Sequence, residues 1–242
     1  MLRTLGLALI ASVPAISVAA DPPPPWSGEL SAGLVMTTGN SQSASTNAKG
    51  EGVFNSERWR NTFTGAAIKA EQTTAGVEVV TAERYTVGNK TDFNFTDRDY
   101  AFFALEFEKD LIGPVRERTS ETAGYGRKVL TGPAHLLELE IGAGARQTEA
   151  QVTAERFDDF IGRGRGAYKW NFSETSYFGE TVKIESGDSN TFSESVTELR
   201  VSLVGKLFAL GSYTVRQNSD VPPGARKTDT ITAVSLGWTF GK

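Results

Sequence analysis

Ala134-His135-Leu136-Leu137-Glu138-Leu139-Glu140-Ile141-Gly142-Ala143-Gly144-Ala145-Arg146 is the stretch that decides the fold. Leu137, Leu139, Ile141, Ala143 and Ala145 share one parity; Glu138, Glu140, Gly142, Gly144 and Arg146 share the other. Side chains repeat every two residues along a strand and every 3.6 along a helix, so this is a strand with one apolar and one charged face. The pattern spreads in both directions. Between residues 26 and 38, Trp26, Leu30, Ala32, Leu34 and Met36 oppose Glu29, Ser31, Gly33 and Val35. Ala101, Phe103, Leu105 and Phe107 face away from Tyr100, Glu106 and Glu108. Phe160, Gly162, Gly164, Gly166, Tyr168 and Trp170 alternate with Arg163, Arg165 and Lys169, and Val234, Leu236, Trp238 and Phe240 with Ile231, Ala233, Ser235 and Gly237. Each stretch has about the ten residues that a tilted strand needs to cross a bilayer.

Extended along the chain, this reading predicts twelve strands, at 27–38, 43–54, 59–71, 80–95, 99–110, 118–130, 134–146, 158–170, 175–185, 191–202, 208–218 and 228–240. The faces of the third and ninth are ambiguous. In the ninth, Glu180 shares parity with Phe178, Val182 and Ile184, so either a bulge shifts the register or Glu180 lies near a rim. Connections after even-numbered strands are tight, as in Thr96-Asp97-Arg98 and Thr131-Gly132-Pro133. Those after odd-numbered strands include the long segments 72–79, 111–117, 147–157 and 219–227, with 39–42 and 186–190 as short exceptions. The prediction is all-β: an antiparallel up-and-down transmembrane β-barrel of about 12 strands, with short periplasmic turns and longer outer loops. A soluble lipocalin-like barrel is the alternative, its polar face solvated. Aromatics at strand ends (Trp26, Trp59, Tyr168, Trp170, Trp238 and Phe240) favour the membrane, where they serve as interfacial girdles. The small outward residues agree, since they leave no core to fill against a second sheet.

Whole-chain averages conceal this. The 242 residues are 39 % hydrophobic with a formal charge of −4, and the mean hydropathy is −0.27. The acidic balance disfavours nucleic acid. The absence of cysteine excludes disulfides, thiolate metal sites, a Cys nucleophile and a lipid-modified N-terminal cysteine. Residues 1–20 read as a signal peptide: Arg3, an apolar stretch from Leu5 to Ile16, then Ser17-Val18-Ala19-Ala20, with cleavage after Ala20. Residues 21–25 form a Pro-rich periplasmic lead-in, and 26–242 form the barrel.

Candidate chemistry is sparse. The sole histidine, His135, follows a tight turn with the outward parity of Leu137, which suits an interfacial polar residue better than a catalytic base. Asp158 and Asp159 stand beside an outer loop without a partner nucleophile. Asp92, Asp97 and Asp99 lack the spacing of a calcium loop. Gly162-Arg163-Gly164-Arg165-Gly166 alternates as a strand and does not open a helix as a phosphate loop must. No catalytic residue, metal ligand or cofactor is assigned. The inferred lumen carries the charges Glu106, Glu108, Glu121, Arg127, Glu138, Glu140, Arg146, Arg163, Arg165, Lys169, Glu194, Glu198 and Arg200. With Glu29, Glu51, Glu71, Lys49, Lys69, Arg84 and Arg216 these balance to zero. Balanced charge suits an interior cross-linked by ion pairs, and twelve strands permit a pore without guaranteeing one.

Thr37-Thr38-Gly39-Asn40-Ser41, Thr96-Asp97-Arg98-Asp99-Tyr100-Ala101-Phe102, Glu108-Lys109-Asp110 and Arg116-Glu117-Arg118 form a recognisable set. With Ala123-Gly124-Tyr125-Gly126-Arg127 and Leu130-Thr131-Gly132-Pro133-Ala134-His135, they resemble the salt-induced outer membrane protein family, also called the domain of unknown function 481 family. The resemblance implies an outer-membrane barrel associated with salt or acid stress, and offers no catalytic residues. The ending Ser235-Leu236-Gly237-Trp238-Thr239-Phe240 resembles the strand that outer-membrane assembly machinery recognises, although Gly241 and Lys242 follow the final aromatic. The expectation is a monomer in the bacterial outer membrane, with lipid and assembly machinery as partners. It is a non-enzyme that passes small solutes or ions. An outer-membrane hydrolase and a plugged structural barrel with partner-binding loops are the alternatives.

Overall fold

A computed structural model describes residues 25–37, 42–74 and 77–241. The signal peptide, most of the Pro-rich lead-in and most of the first loop lie outside the described residues. The chain forms twelve antiparallel strands: β1 (Trp26–Thr37), β2 (Gln42–Asn55), β3 (Trp59–Thr74), β4 (Val77–Asn94), β5 (Asp99–Asp110), β6 (Val115–Thr131), β7 (His135–Ala150), β8 (Arg156–Asn171), β9 (Tyr177–Ser186), β10 (Thr191–Val204), β11 (Leu207–Asn218) and β12 (Thr228–Phe240). Each pairs with its sequence neighbours, and β12 pairs with β1, closing the sheet into a barrel. Closure removes the sheet edges that hydrocarbon could not hydrate.

The alternation read from the sequence becomes inside and outside. Phe103, Leu105, Phe107, Leu139, Ile141, Val234 and Leu236 are exposed on the outer wall, whereas Tyr100, Phe102 and Glu140 on the alternate positions are buried. Trp26, Phe54, Trp59, Trp170 and Trp238 are also exposed and outward. They gather at the end of the barrel that holds both described termini, here the terminal rim. Trp26 lies against Phe240 and Trp59 against Phe93, so the girdle is a set of touching rings.

At the opposite, loop rim, several expected loops are ladder instead. β3 runs to Thr74 and β4 starts at Val77, while β6 starts at Val115 and β7 runs to Ala150. These extensions keep pairing beyond the clear apolar alternation, with mostly polar residues on β3, β6 and β7, so periodicity of hydrophobic residues does not register their full length. The placement of Glu180 on the ninth strand also resolves into one of its two alternatives. The β8–β9 and β9–β10 ladders pass through Tyr168↔Glu180 and Thr197↔Glu180 without a shift. Glu180 therefore stays outward, near the terminal rim, accepting hydrogen bonds from Ser195 Oγ at 2.6 Å and Thr197 Oγ1 at 2.5 Å.

Candidate functional site: a salt-bridged lumen

A round barrel of twelve strands, spaced about 4.8 Å apart and tilted about 40°, would be about 24 Å across. One extended arginine and one extended glutamate reach only about 15 Å between their backbones. Yet Arg216 on β11 contacts the Glu108 carboxylate on β5, and β5 and β11 are diametrically opposite in the ring. The cross-section is therefore flattened, with its short axis spanned by that pair. Arg216 also bonds Glu194 at 3.0 Å.

Other chords reinforce the bridge. Lys49 on β2 reaches Glu198 on β10 at 2.5 Å, and Arg200 on β10 reaches Glu29 on β1 at 3.5 Å. Arg163 binds Glu106 at 2.8 Å, and Lys183 contacts the same carboxylate. Toward the terminal rim, Glu140 collects Lys90 at 2.7 Å, Arg165 at 3.3 Å and the Tyr100 hydroxyl at 2.9 Å. Toward the loop rim, Arg84 binds Asp110 at 2.5 Å. There Arg118 donates to Asn218 at 2.9 Å and lies 4.0 Å over the Phe192 ring. Arg146, wholly buried, holds Asp159 at 2.9 Å and the Asn190 carbonyl at 2.5 Å, so it fastens the β9–β10 turn. Charge in a flattened, side-chain-filled interior is stable only when paired in this way.

The bridge divides the space that remains. On one side lies a chamber of about 400 Å³ lined by Lys90, Glu106, Arg118, Arg163, Arg165 and Lys183, among others. On the other lies one of about 280 Å³ bounded by β1–β4 and β10–β12. Lys49, Glu108, Glu194, Glu198 and Arg216 border both and form the partition between them. A vestibule of about 550 Å³ at the loop rim is bordered by Arg84, Asp110, Pro222 and Asp229.

Sequence comparison places residues 30–240 within the family described as a protein of unknown function, DUF481. The chain belongs to that family. It is 31 % identical over 219 residues to an uncharacterized protein of Escherichia coli K12, YdiY, covering 89 % of this chain and 84 % of the relative. Among solved structures, the COG4313 outer membrane channel from Pseudomonas putida F1 superimposes with a TM-score of 0.52 at 9 % identity, over 95 % of this chain and all of that one. The NanC porin gives 0.50 at 8 % identity, over 88 % and 98 %. At such identities the likeness is one of fold: both neighbours are outer-membrane β-barrels.

For this family member the inward ladder positions hold Glu106, Glu108, Glu138, Glu140, Arg146, Arg163, Arg165, Lys169, Glu194, Glu198 and Arg200. Glu138 stands 3.7 Å from Arg60, and Lys169 stacks 3.8 Å over Tyr177. Glu121 and Arg127 do not belong with them. Both pair in register with outward residues, Glu121 with Leu105 and Arg127 with Leu139, and both are exposed. The stretch 119–127 offers only small or polar alternates to its charges, so its charges misled the assignment of faces. Arg127 is accommodated at the terminal rim by Asp99 at 2.9 Å, its head reaching toward the interface. Lys69 and Glu71 likewise stand outside, paired with each other at 2.5 Å near the loop rim. Among the interior charges that periodicity overlooked are Arg60, Lys90, Asp92, Asp110, Arg118, Asp159, Lys183 and Glu185. Lys183 and Glu185 could have been found, because they alternate with Val182 and Ile184.

His135 sits outward on the terminal rim, its Nδ1 2.8 Å from the Tyr168 hydroxyl and its ring stacked with Trp170. Asp158 and Asp159 point to opposite sides: Asp159 binds Arg146 inside, whereas Asp158 is exposed. Among the described residues no group of three His, Cys, Asp or Glu side chains is placed to hold a metal.

Proposed function

We propose that the protein resides in the bacterial outer membrane, terminal rim toward the periplasm, and provides a narrow, charge-balanced passage for ions or small solutes. The observation that carries this reading is the Arg216–Glu108 bridge standing between two chambers that share a charged partition. A scaffold needs no chambers on either side of its cross-link, while an open porin would not span its short axis with one ion pair. The outward aromatic girdle and porin-like fold support the location, and the C-terminal strand supports recognition by assembly machinery. The likeness to porins and channels supports a non-enzyme. A role in salt or acid stress rests on the family resemblance and is tested by growth of a deletion strain in high salt and at low pH.

The deciding experiment is planar-bilayer recording of refolded protein across a series of salt concentrations. The wild type is expected to give small, infrequent openings. Glu108→Gln/Arg216→Gln, which keeps side-chain length but removes both charges, is expected to raise conductance and open probability. Silence from both proteins would remove the passage and leave a plugged structural barrel, the second reading.

A further inference from the structure

The barrel is irregular where its two ends meet. The β1–β12 ladder runs only from Gly28↔Phe240 to Ala32↔Leu236, although β1 continues to Thr37 and β12 begins at Thr228. The flanking joints are registered along nearly all of their length, from Trp26↔Phe54 to Thr37↔Ser43 on one side and from Leu207↔Trp238 to Gln217↔Thr228 on the other. Toward the loop rim, the edge of β12 from Thr228 to Ser235 therefore has no β1 partner in the ladder among the described residues. Unpaired backbone is tolerated at membrane depth only where protein covers it or a cavity adjoins it.

Two features hold this seam. Gly33 approaches Val234 so closely that a Cβ would stand 2.1 Å from the Val234 carbonyl oxygen. Asn47, opposite Gly33 in the ladder, reaches past it so that Ser235 Oγ donates to Asn47 Oδ1 at 2.6 Å. A side-chain latch thus replaces the backbone rung. Cavities lie on both sides of it. On the outer wall an apolar groove of about 670 Å³ is bordered by Leu30, Ala32, Ala48, Leu236 and Trp238. Within, the 280 Å³ chamber includes Ser31, Asn47 and Ser235 of the seam. One side of that chamber is apolar (Ile68, Val196, Leu210, Ile231 and Ala233), and its far side is the charged partition of Lys49, Glu198, Glu108 and Arg216.

We propose that this chamber binds a single-chain amphiphile that enters sideways from the membrane between β1 and β12, with Asn47–Ser235 as the latch. The groove presents lipid-phase molecules at the seam, the apolar wall receives the chain, and the partition meets the polar head. The chamber holds about nine water-sized volumes of about 30 Å³ each, enough for a chain of about ten carbons and too little for a two-chain lipid. This inference is separate from conduction through Arg216: a barrel silent in recordings would still bind the amphiphile.

The test uses protein refolded in phosphatidylcholine vesicles and chain-deuterated decanoic acid, whose ten carbons match the chamber, followed by deuterium magnetic resonance. The wild type is expected to show a saturable immobilised component near one probe per barrel, above ordinary boundary lipid. Ile231→Trp, which crowds the apolar wall and leaves the chamber too small for the ten-carbon chain, is expected to remove it, and Asn47→Ala to speed its appearance. Because the chain has no cysteine, Leu34→Cys/Val234→Cys introduces one defined pair beyond the ladder. Oxidation within a barrel should abolish the component and reduction restore it; if the pair does not oxidise, the other two variants decide. The proposal is overturned if the component is absent from the wild type, survives Ile231→Trp, or is unaffected by oxidation. It is equally overturned if oxidation joins two barrels, for then the free edge of β12 pairs with a second copy.

Discussion

Replacing Arg216 by methionine removes the group that joins Glu108 and Glu194 across the short axis of the barrel. The Arg216 side chain is 7 % exposed, that of Glu108 12 % and that of Glu194 27 %, so the two carboxylates lose their counter-ion in a largely dry setting. Removing one partner of a buried pair costs about 3–5 kcal/mol. Here Lys183, 4.0 Å from Glu194, and Arg118 and Arg84 near Glu108 reduce this to about 2–4 kcal/mol. Glu108→Met alone should cost less, about 1–2 kcal/mol, because Arg216 keeps Glu194. The double variant exchanges the pair for two apolar side chains of similar length but still leaves Glu194 without Arg216, so it should lie about 1–2 kcal/mol below the wild type. The resulting coupling energy is about 2–4 kcal/mol. Urea unfolding in lipid vesicles, followed by the fluorescence of Trp26, Trp59, Trp170 and Trp238 on the terminal rim, measures each corner of the cycle. Lys109–Glu117, an outward pair 3.0 Å apart with side chains 40 % and 36 % exposed, serves as the control and should show no measurable coupling. A coupling for Arg216–Glu108 below about 0.5 kcal/mol, the range of exposed pairs, would refute the claim that this contact spans and braces the barrel.

Four further variants test the geometry. Gly144→Ala places a Cβ 1.8 Å from the Glu121 carbonyl oxygen; it should destabilise the barrel by about 1–3 kcal/mol through overpacking, read as a lower temperature of heat-modifiable gel migration. Gly162→Ala, where nothing lies within 4 Å, should leave that temperature unchanged. Arg146→Ala leaves Asp159 buried without its cation and unties the Asn190 carbonyl; protease should then cut at residues 187–190, where the wild type resists. Glu121→Leu replaces an outward charge with an apolar residue beside Leu105 and Ala145, and should stabilise the lipid-embedded barrel by up to about 1 kcal/mol in the same unfolding assay.

How far the sequence reaches depends on how strongly a position is constrained by its two faces. Where large apolar residues alternate with charge, as from Leu137 to Arg146 or from Ala101 to Glu108, one parity must meet lipid, and the side is legible from residue types alone. Where the alternates are small or polar, as from Ser120 to Arg127, neither parity carries enough transfer free energy to declare itself. There Glu121 and Arg127 face outward against expectation. The ninth strand shows the intermediate case: Val182 and Ile184 identify the outer face correctly, and only the charge of Glu180 obscures it.

Strand number and order are local properties, and period two with turn chemistry determined them without a structure. Which charges meet is a different matter. Arg216 and Glu108 stand more than a hundred residues apart in the chain, and they touch because closure makes β5 and β11 opposite and flattening brings them within reach. The short ladder between β1 and β12 is likewise invisible in either strand read alone, since each has the length and alternation of a full partner. Side-chain period is a one-dimensional property of the chain, whereas reach across a lumen and register at a closing seam depend on the shape of the whole ring.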